Sequence, residues 1–300
     1  MQINMIRSDK VYQEMLELPL EKREGCFRAK ILAPFAMKYQ TQHIPLKAKY
    51  PGGFDALFLL GFMNQLPSTL SEKDRPAIDA LSSDQLWQNC QDTIKRSIGL
   101  FEQAGYDLEV EDYHFTILLG NPEKPMLQLN KGYSGDGGIP GYLMLSLLPN
   151  DYTLPRVQAA LAHECNHNVR FQFIKWNQQT TLADWVVSEG LAESFAAELY
   201  GEDLIGPWVT STSSEQLEEI KPIISSQLQL TGMAEMAPYL YGDEIAKIQG
   251  QIPVGMPYAA GYAYGYHLIQ AYLKKTGKNI IEATVTPTEE ILEATKDFWK

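Results

Sequence analysis

Residues 159–171 read Ala-Ala-Leu-Ala-His-Glu-Cys-Asn-His-Asn-Val-Arg-Phe, an apolar helical stretch with two histidines four positions apart. On an α-helix such residues share a face, so the imidazoles of His163 and His167 can converge on one metal ion. Glu164 lies about 100° round the helix from His163, where its carboxylate can reach a water on that metal. The H-E-x-x-H pattern therefore predicts a zinc-binding helix with Glu164 as the general base.

A second stretch offers the third protein ligand that such a zinc site needs. Residues 185–195 read Trp-Val-Val-Ser-Glu-Gly-Leu-Ala-Glu-Ser-Phe, with apolar residues at helical spacing. Glu189 and Glu193 lie one turn apart on a face flanked by apolar residues, an unfavourable pair unless a cation lies beside them. We predict that Glu189 is the third ligand and that Glu193 accepts a proton from the free ring nitrogen of His163 or His167. The alternative for the two glutamates, taken alone, is a pair of solvated surface charges.

The composition is that of an ordinary globular protein, because 45% of the 300 residues are hydrophobic and 21% are charged. A net charge of −12 without a dense Lys/Arg cluster disfavours binding to nucleic acid or to a membrane surface. The three cysteines are not spaced as a disulfide framework, and Met1–Lys10 does not read as a signal peptide. Since no apolar run reaches the length of a membrane span, we expect a cytoplasmic protein.

The order of the predicted elements favours an α+β fold. A mostly helical N-terminal region, residues 1–110, precedes a catalytic region, residues 111–300. In the latter, the glycine-rich residues 131–141 are predicted to form a loop, and the last strand comes just before the H-E-x-x-H helix. The sequence predicts three short strands, Tyr113–Leu119, Leu127–Leu129 and Tyr142–Leu148.

Two long helices are predicted to carry the metal ligands. The first runs from Leu154 to about Trp176. Pro155 lies in its first turn, where the missing N–H of a proline costs no hydrogen bond. The second is capped by Thr181 or Asp184 and ends before Gly201.

Together these motifs resemble the gluzincin metallopeptidases, in which a glutamate is the third zinc ligand. In thermolysin-like members an acidic residue four positions past that ligand supports a zinc-binding histidine, and Glu193 matches it. More narrowly, Ala162–Arg170, Ser188–Glu193 and Gly261–Tyr266 look like segments of a group of bacterial proteins described as predicted zinc-dependent proteases. The resemblance implies a zincin-like fold, one Zn²⁺ per chain and a peptide substrate.

The resemblance also directs attention to a later tyrosine-rich segment, because other gluzincins place a Tyr or His donor there for the oxyanion. Tyr262 and Tyr266 lie one helical turn apart, and His267 follows them. We predict that Tyr262 stabilises the oxyanion, with Tyr266 and His267 as the other candidates. The alternative is that these tyrosines only pack, while Gly261 and Gly265 allow two helices to approach closely.

The predicted function is hydrolysis of peptide bonds by a zinc-activated water. The chain lacks a G-A-M-E-N type segment, so an endopeptidase or oligopeptidase is favoured over an aminopeptidase. Two alternatives remain: a catalytically silent zinc-binding scaffold or sensor, and a zinc amidase that acts on a small molecule.

Overall fold

The computed structural model describes residues 1–299, and these form two compact units. One unit comprises Met1–Lys95 and Glu109–Leu161, and the other comprises Arg96–Leu108 and the chain from Ala162 onward. This grouping does not test the region boundary predicted at residue 110, which stays a prediction.

The described residues form mostly helices and one small sheet, which confirms the predicted α+β class. Up to residue 147 the elements are β1 (Gln2–Met5), α1 (Ser8–Glu17), α2 (Leu20–Phe27), α3 (Ala36–Thr41), α4 (Ala56–Leu60), α5 (Arg75–Leu81), α6 (Asp84–Gln103), β2 (Asp112–Leu119), α7 (Pro125–Leu129), β3 (Tyr133–Ile139) and β4 (Tyr142–Leu147). Beyond it they are α8 (Val157–Phe173), α9 (Leu182–Tyr200), α10 (Pro207–Thr210), α11 (Ser214–Ser225), α12 (Met233–Tyr241), α13 (Asp243–Ile248), α14 (Ala260–Thr276), α15 (Ile280–Thr284), α16 (Thr288–Ala294) and α17 (Lys296–Trp299). Within residues 1–299, none of these helices combines the length and the apolar character that crossing a lipid bilayer requires.

The sheet is mixed and has the strand order β1-β2-β4-β3. Strand β2 lies between β1 and β4 and is parallel to both, with His114 opposite Tyr142 in the second pairing. Strand β3 is antiparallel to β4, with Tyr133 opposite Leu147. As predicted, β4 is the last strand before the H-E-x-x-H helix, here α8.

Two predictions for the segment between β2 and β4 are wrong. Leu127–Leu129 is the end of helix α7, which begins with Pro125 in the first helical position, where a missing N–H costs nothing. The glycine-rich residues 131–141 form strand β3 and its turn into β4. Pro140-Gly141 closes this hairpin, and Gly141 has the positive φ of 87° that a glycine can adopt in a tight turn.

The start and the end of α9 follow from local chemistry, as predicted. The hydroxyl of Thr181 accepts a hydrogen bond from the backbone N–H of Asp184 at 3.2 Å. The carboxylate of Asp184 accepts one from the backbone N–H of Thr181 at 2.9 Å, which completes a capping box. The helix ends at Gly201, whose φ is 93°. Almost every residue of its first four turns is buried, so α9 is a central helix of its unit.

Helices α9 and α14 touch through their backbones. A methyl group added to Gly190 would overlap the carbonyl of Gly265, and one added to Gly265 would overlap the carbonyl of Val186. Four residues before Gly265, a methyl group on Gly261 would lie 2.7 Å from the Cα of Leu240 in α12. The close helix packing predicted for Gly261 and Gly265 is therefore present, with α12 at Gly261 and with α9 at Gly265.

Candidate metal centre

Helices α8 and α9 bring two imidazoles and one carboxylate to a common point. The Nε2 atoms of His163 and His167 lie 3.1 Å apart. Each of them lies 3.2 Å from Oε2 of Glu189. All three residues are less than a tenth exposed, and they form a group of side chains spaced to hold a metal ion.

The donor set and its spacing fit zinc. Two imidazole nitrogens and one carboxylate oxygen are the protein ligands of a common class of catalytic zinc site. Ligand atoms at zinc bond lengths of ~2.0–2.2 Å in a tetrahedron lie roughly 3.4 Å from one another. The three distances here, 3.1–3.2 Å, are slightly shorter than that, so the ligand atoms would have to move only slightly apart around an ion.

A carboxylate from the next turn of α9 fixes the orientation of His163. Oε2 of Glu193 lies 2.7 Å from Nδ1 of His163, which leaves Nε2 directed at Glu189. Glu193 also accepts hydrogen bonds from the indole N–H of Trp208, at 2.7 Å, and from the backbone N–H of Gly206. These donors come from the segment that follows α9 and enters α10, and they hold Glu193 in place for the imidazole.

The carboxylates of the cluster stabilise positive charge on the imidazoles. Burial lowers the pKa of His163, but its bonds to Glu189 and Glu193 and the charge of Glu164 outweigh burial and raise that pKa well above its usual value. Burial raises the pKa of Glu189, but the imidazoles of His167 and His163 outweigh burial and hold it below its usual range. Buried carboxylates are stable only beside positive charge, which a divalent cation would also provide.

The second imidazole is held differently from the first. His167 Nδ1 is buried without a hydrogen-bond partner in the described chain, so no protein acceptor holds the ring from that side. Its ring stacks on Phe171, one turn further along α8, with the centroids 5.7 Å apart and the planes at 6°. Ring packing therefore orients His167, whereas a hydrogen bond orients His163.

An indole also contacts the carboxylate of Glu189. The Nε1–H of Trp185, one turn earlier on α9, donates to Oε1 of Glu189 at 3.2 Å. The other oxygen, Oε2, is the one that faces the two imidazoles.

Arg170 fastens α8 to α9 and to the C-terminal helices. Its guanidinium is fully buried and donates to the hydroxyls of Ser188 and Thr288 and to the carbonyls of Thr284 and Thr286, at 2.8–3.1 Å. Burial lowers the pKa of Arg170 to about 10, which still leaves the side chain charged at neutral pH. Because Ser188 directly precedes Glu189, this contact helps to set the register between the two helices.

The structure places the predicted catalytic residues beside this cluster. Glu164 is less than a tenth exposed, and its charge acts on the pKa of His163 and of Tyr262. Burial, followed by the charge of Glu189, raises the pKa of Tyr262 well above its usual value, so its phenol keeps its proton. The ring of Tyr262 also lies 6.2 Å from that of Trp208.

The other two oxyanion candidates lie in different surroundings. Burial, together with the charges of Glu202 and Glu193, raises the pKa of Tyr266 to about 12. Burial and the charge of Lys221 lower the pKa of His267. Of the three candidates, Tyr262 is the one on whose pKa Glu189 and Glu164 act.

Three contributors were not identified from the sequence: Trp185, Trp208 and Arg170. Trp185 lies one helical turn before Glu189, just as Glu193 lies one turn after it. The contact of Trp185 with the carboxylate of Glu189 could therefore have been predicted from spacing alone. No sequence pattern predicts that Trp208 donates a hydrogen bond to Glu193, since that contact depends on how the chain folds after α9.

The chain is similar to known proteins. Residues 86–293 match the sequence model of the family described as "Predicted Zn-dependent protease (DUF2268)". The uncharacterized protein YjfC of Bacillus subtilis (strain 168) is 34% identical over 293 residues, which cover 97% of each chain. The uncharacterized protein YjaZ of the same organism is 26% identical over 155 residues, which cover 50% of this chain and 55% of that protein. No solved structure matches the chain. Because the family match covers more than half of its length, the chain belongs to the family of predicted zinc-dependent proteases.

Proposed function

We propose that the protein is a zinc-dependent peptidase of the gluzincin type, with His163, His167 and Glu189 as the metal ligands. One observation carries this proposal: both Nε2 atoms and the Oε2 atom lie within 3.2 Å of one another in a buried cluster. The descriptive name of the family supports zinc dependence and proteolysis in general terms. The position of α8 directly after β4, with the third ligand on the next helix, supports a zincin-like arrangement.

Each residue of the proposed site has a separate task. Zinc held by the three ligands would lower the pKa of a water and polarise the carbonyl of the scissile bond. Glu164 takes a proton from the attacking water and later delivers it to the leaving amine. Tyr262 keeps its phenolic proton at neutral pH, and so it donates a hydrogen bond to the oxyanion that develops on the carbonyl oxygen. Glu193 holds the imidazole of His163 so that Nε2 stays directed at the ligand cluster.

The proposed substrate is a peptide chain cleaved internally. The sequence lacks the G-A-M-E-N type segment with which related aminopeptidases recognise a free α-amino group. An endopeptidase or oligopeptidase therefore fits better than an aminopeptidase.

The test combines metal analysis with hydrolysis of a peptide library. We expect about one zinc per wild-type chain, since the three ligands form one site. Glu189→Ala should lose most of the zinc, whereas Glu198→Ala, an exposed glutamate of the same helix, should keep it. Glu164→Gln should keep zinc and lose hydrolysis, because it retains the volume of the side chain but not the base.

The outcomes separate the alternatives. A wild type that binds zinc but cleaves no peptide would favour a zinc-binding scaffold or sensor. Cleavage limited to small amides would favour a zinc amidase. Normal hydrolysis by Glu164→Gln would disprove the assignment of the general base.

A further inference from the structure

The indole of Trp185 occupies one oxygen of the carboxylate that is proposed to bind zinc. Its Nε1–H donates to Oε1 of Glu189 at 3.2 Å, while Oε2 lies 3.2 Å from Nε2 of both His163 and His167. The two oxygens of this one carboxylate are thus divided between an indole and the ligand cluster.

The direction of this indole is fixed by its neighbours. The ring of Trp185 packs edge-on against the rings of Trp176 and Tyr241, with centroid distances of 5.5 Å in both cases and interplanar angles of 88° and 89°. Only 6% of the residue is exposed. Trp185 and Glu189 also lie one turn apart on the same helix, so the N–H and Oε1 are kept in register by the backbone.

A free carboxylate can bind a metal ion through one oxygen or through both. Two-oxygen binding by Glu189 would fill a coordination position that a catalytic zinc site keeps for water or substrate. An N–H that holds Oε1 opposes this, because two-oxygen binding would turn Oε1 towards the metal and leave the buried indole N–H without an acceptor.

We propose that Trp185 is a positioning residue that keeps Glu189 a one-oxygen ligand and thereby preserves an open coordination position at the metal. This inference rests on the proposed metal centre, but it does not require that the substrate be a peptide. The indole N–H of Trp208 donates to Glu193, which is not a proposed ligand, so Trp185 and Trp208 have different roles.

The test uses Trp185→Phe in the full chain, because phenylalanine keeps an aromatic ring but lacks the N–H. Trp176→Phe is the matched control: it makes the same substitution in the neighbouring ring, which donates no hydrogen bond to Glu189. Each variant is loaded with Co²⁺, and its visible spectrum is recorded, because the absorption of Co²⁺ weakens when its coordination number rises from four to five. The zinc affinity of each variant is measured separately, by competition with a chelator.

Trp185→Phe should show weaker visible Co²⁺ bands than the wild type and bind zinc about 10-fold less tightly. Trp176→Phe should match the wild type in both measurements, even if it unfolds at a lower temperature. An unchanged spectrum and an unchanged zinc affinity in Trp185→Phe would overturn the proposal. These measurements do not involve hydrolysis, so they succeed or fail independently of the proposed peptidase activity.

A second measurement keeps the proposal testable if Trp185→Phe folds poorly. In the wild type loaded with zinc, the indole N–H of Trp185 should stay protected from hydrogen exchange, as detected by NMR of protein labelled with ¹⁵N. Rapid exchange of that proton upon zinc binding would show that Oε1 has left the indole, and would overturn the proposal.

Discussion

Gly190 of α9 and Gly265 of α14 meet so closely that neither has room for a side chain. Gly190 directly follows Glu189, and Gly265 lies almost one turn after Tyr262, so this contact joins the helix of the proposed third ligand to the helix of the proposed oxyanion donor. We expect Gly190→Ala to force the two helices apart and to lower the free energy of unfolding by roughly 1–3 kcal/mol. Urea denaturation measures this change.

Gly99→Ala is the matched control for that prediction. Gly99 lies within α6, and an added methyl group would have its nearest neighbour at 3.7 Å, an ordinary contact. Since glycine is a poor helix former, this variant should be more stable than the wild type by about 0.5–1 kcal/mol. If Gly190→Ala were as stable as Gly99→Ala, the close approach of α9 and α14 would be wrong.

Glu193 should control metal affinity without being a ligand. Its carboxylate fixes His163 through Nδ1 at 2.7 Å, and Glu193→Gln keeps the size of the side chain while removing its charge. We expect zinc to bind about 10- to 100-fold more weakly in this variant, as is usual when the partner of a metal-binding imidazole is changed. Competition with a chelator measures the affinity.

Glu198→Gln tests whether that effect is specific. Glu198 lies on the same helix with an exposed side chain, so its loss of charge should leave zinc affinity unchanged. Equal weakening in both variants would point to the net charge of the protein, and not to the contact with His163.

The local parts of the site could be predicted because they depend on spacing within a helix. His163 and His167 share a face of α8, and Glu189 and Glu193 share a face of α9, whatever the rest of the chain does. The capping box at Thr181 is likewise a relation between residues three apart, so the start of α9 was predicted as well. The roles of these side chains in binding zinc and in catalysis stay predictions.

Contacts between distant segments could not be predicted in this way. Trp208 reaches Glu193 only because the chain turns back after α9, and Arg170 joins α8 to carbonyls more than a hundred residues further along.

The hairpin of β3 and β4 was missed for a different reason: its many glycines were taken as a sign of a loop, although Pro140-Gly141 is itself a turn signal. The cytoplasmic location and the absence of a nucleic-acid partner also stay predictions.

Asp55 should make the stability of the protein depend on pH in the acid range. It caps α4 by accepting the N–H of Phe58 at 2.9 Å, and it also accepts the N–H of Ala48 and pairs with Arg28. Burial raises its pKa, but these hydrogen bonds and the charge of Arg28 outweigh burial and lower that pKa below its usual value. A carboxylate whose pKa is depressed on folding stabilises the protein above its unfolded pKa, and this contribution is lost as the pH falls through the folded pKa.

Asp55→Ala should therefore cost roughly 1–3 kcal/mol at pH 7 and progressively less as the pH falls below the usual pKa of an aspartate, ~3.9. Urea denaturation of wild type and variant at several pH values gives the difference directly. Asp151→Ala, at an exposed position, serves as the control and should be nearly neutral throughout. A difference between wild type and Asp55→Ala that stays constant down to pH 3 would contradict the ionic role of Asp55.

Tyr262→Phe should separate transition-state stabilisation from metal binding. The phenol of Tyr262 is the oxyanion candidate whose pKa is raised by burial and then by Glu189, with a further contribution from Glu164. Removing its hydroxyl takes away a donor to the oxyanion but no ligand, so kcat for a cleaved peptide should fall roughly 100- to 1,000-fold while zinc content is unchanged. Tyr266→Phe should retain most of the activity, because the pKa of Tyr266 is raised by burial and then by the charges of Glu202 and Glu193, and not by Glu189 or Glu164. The reverse ranking of the two variants would assign the oxyanion donor to Tyr266.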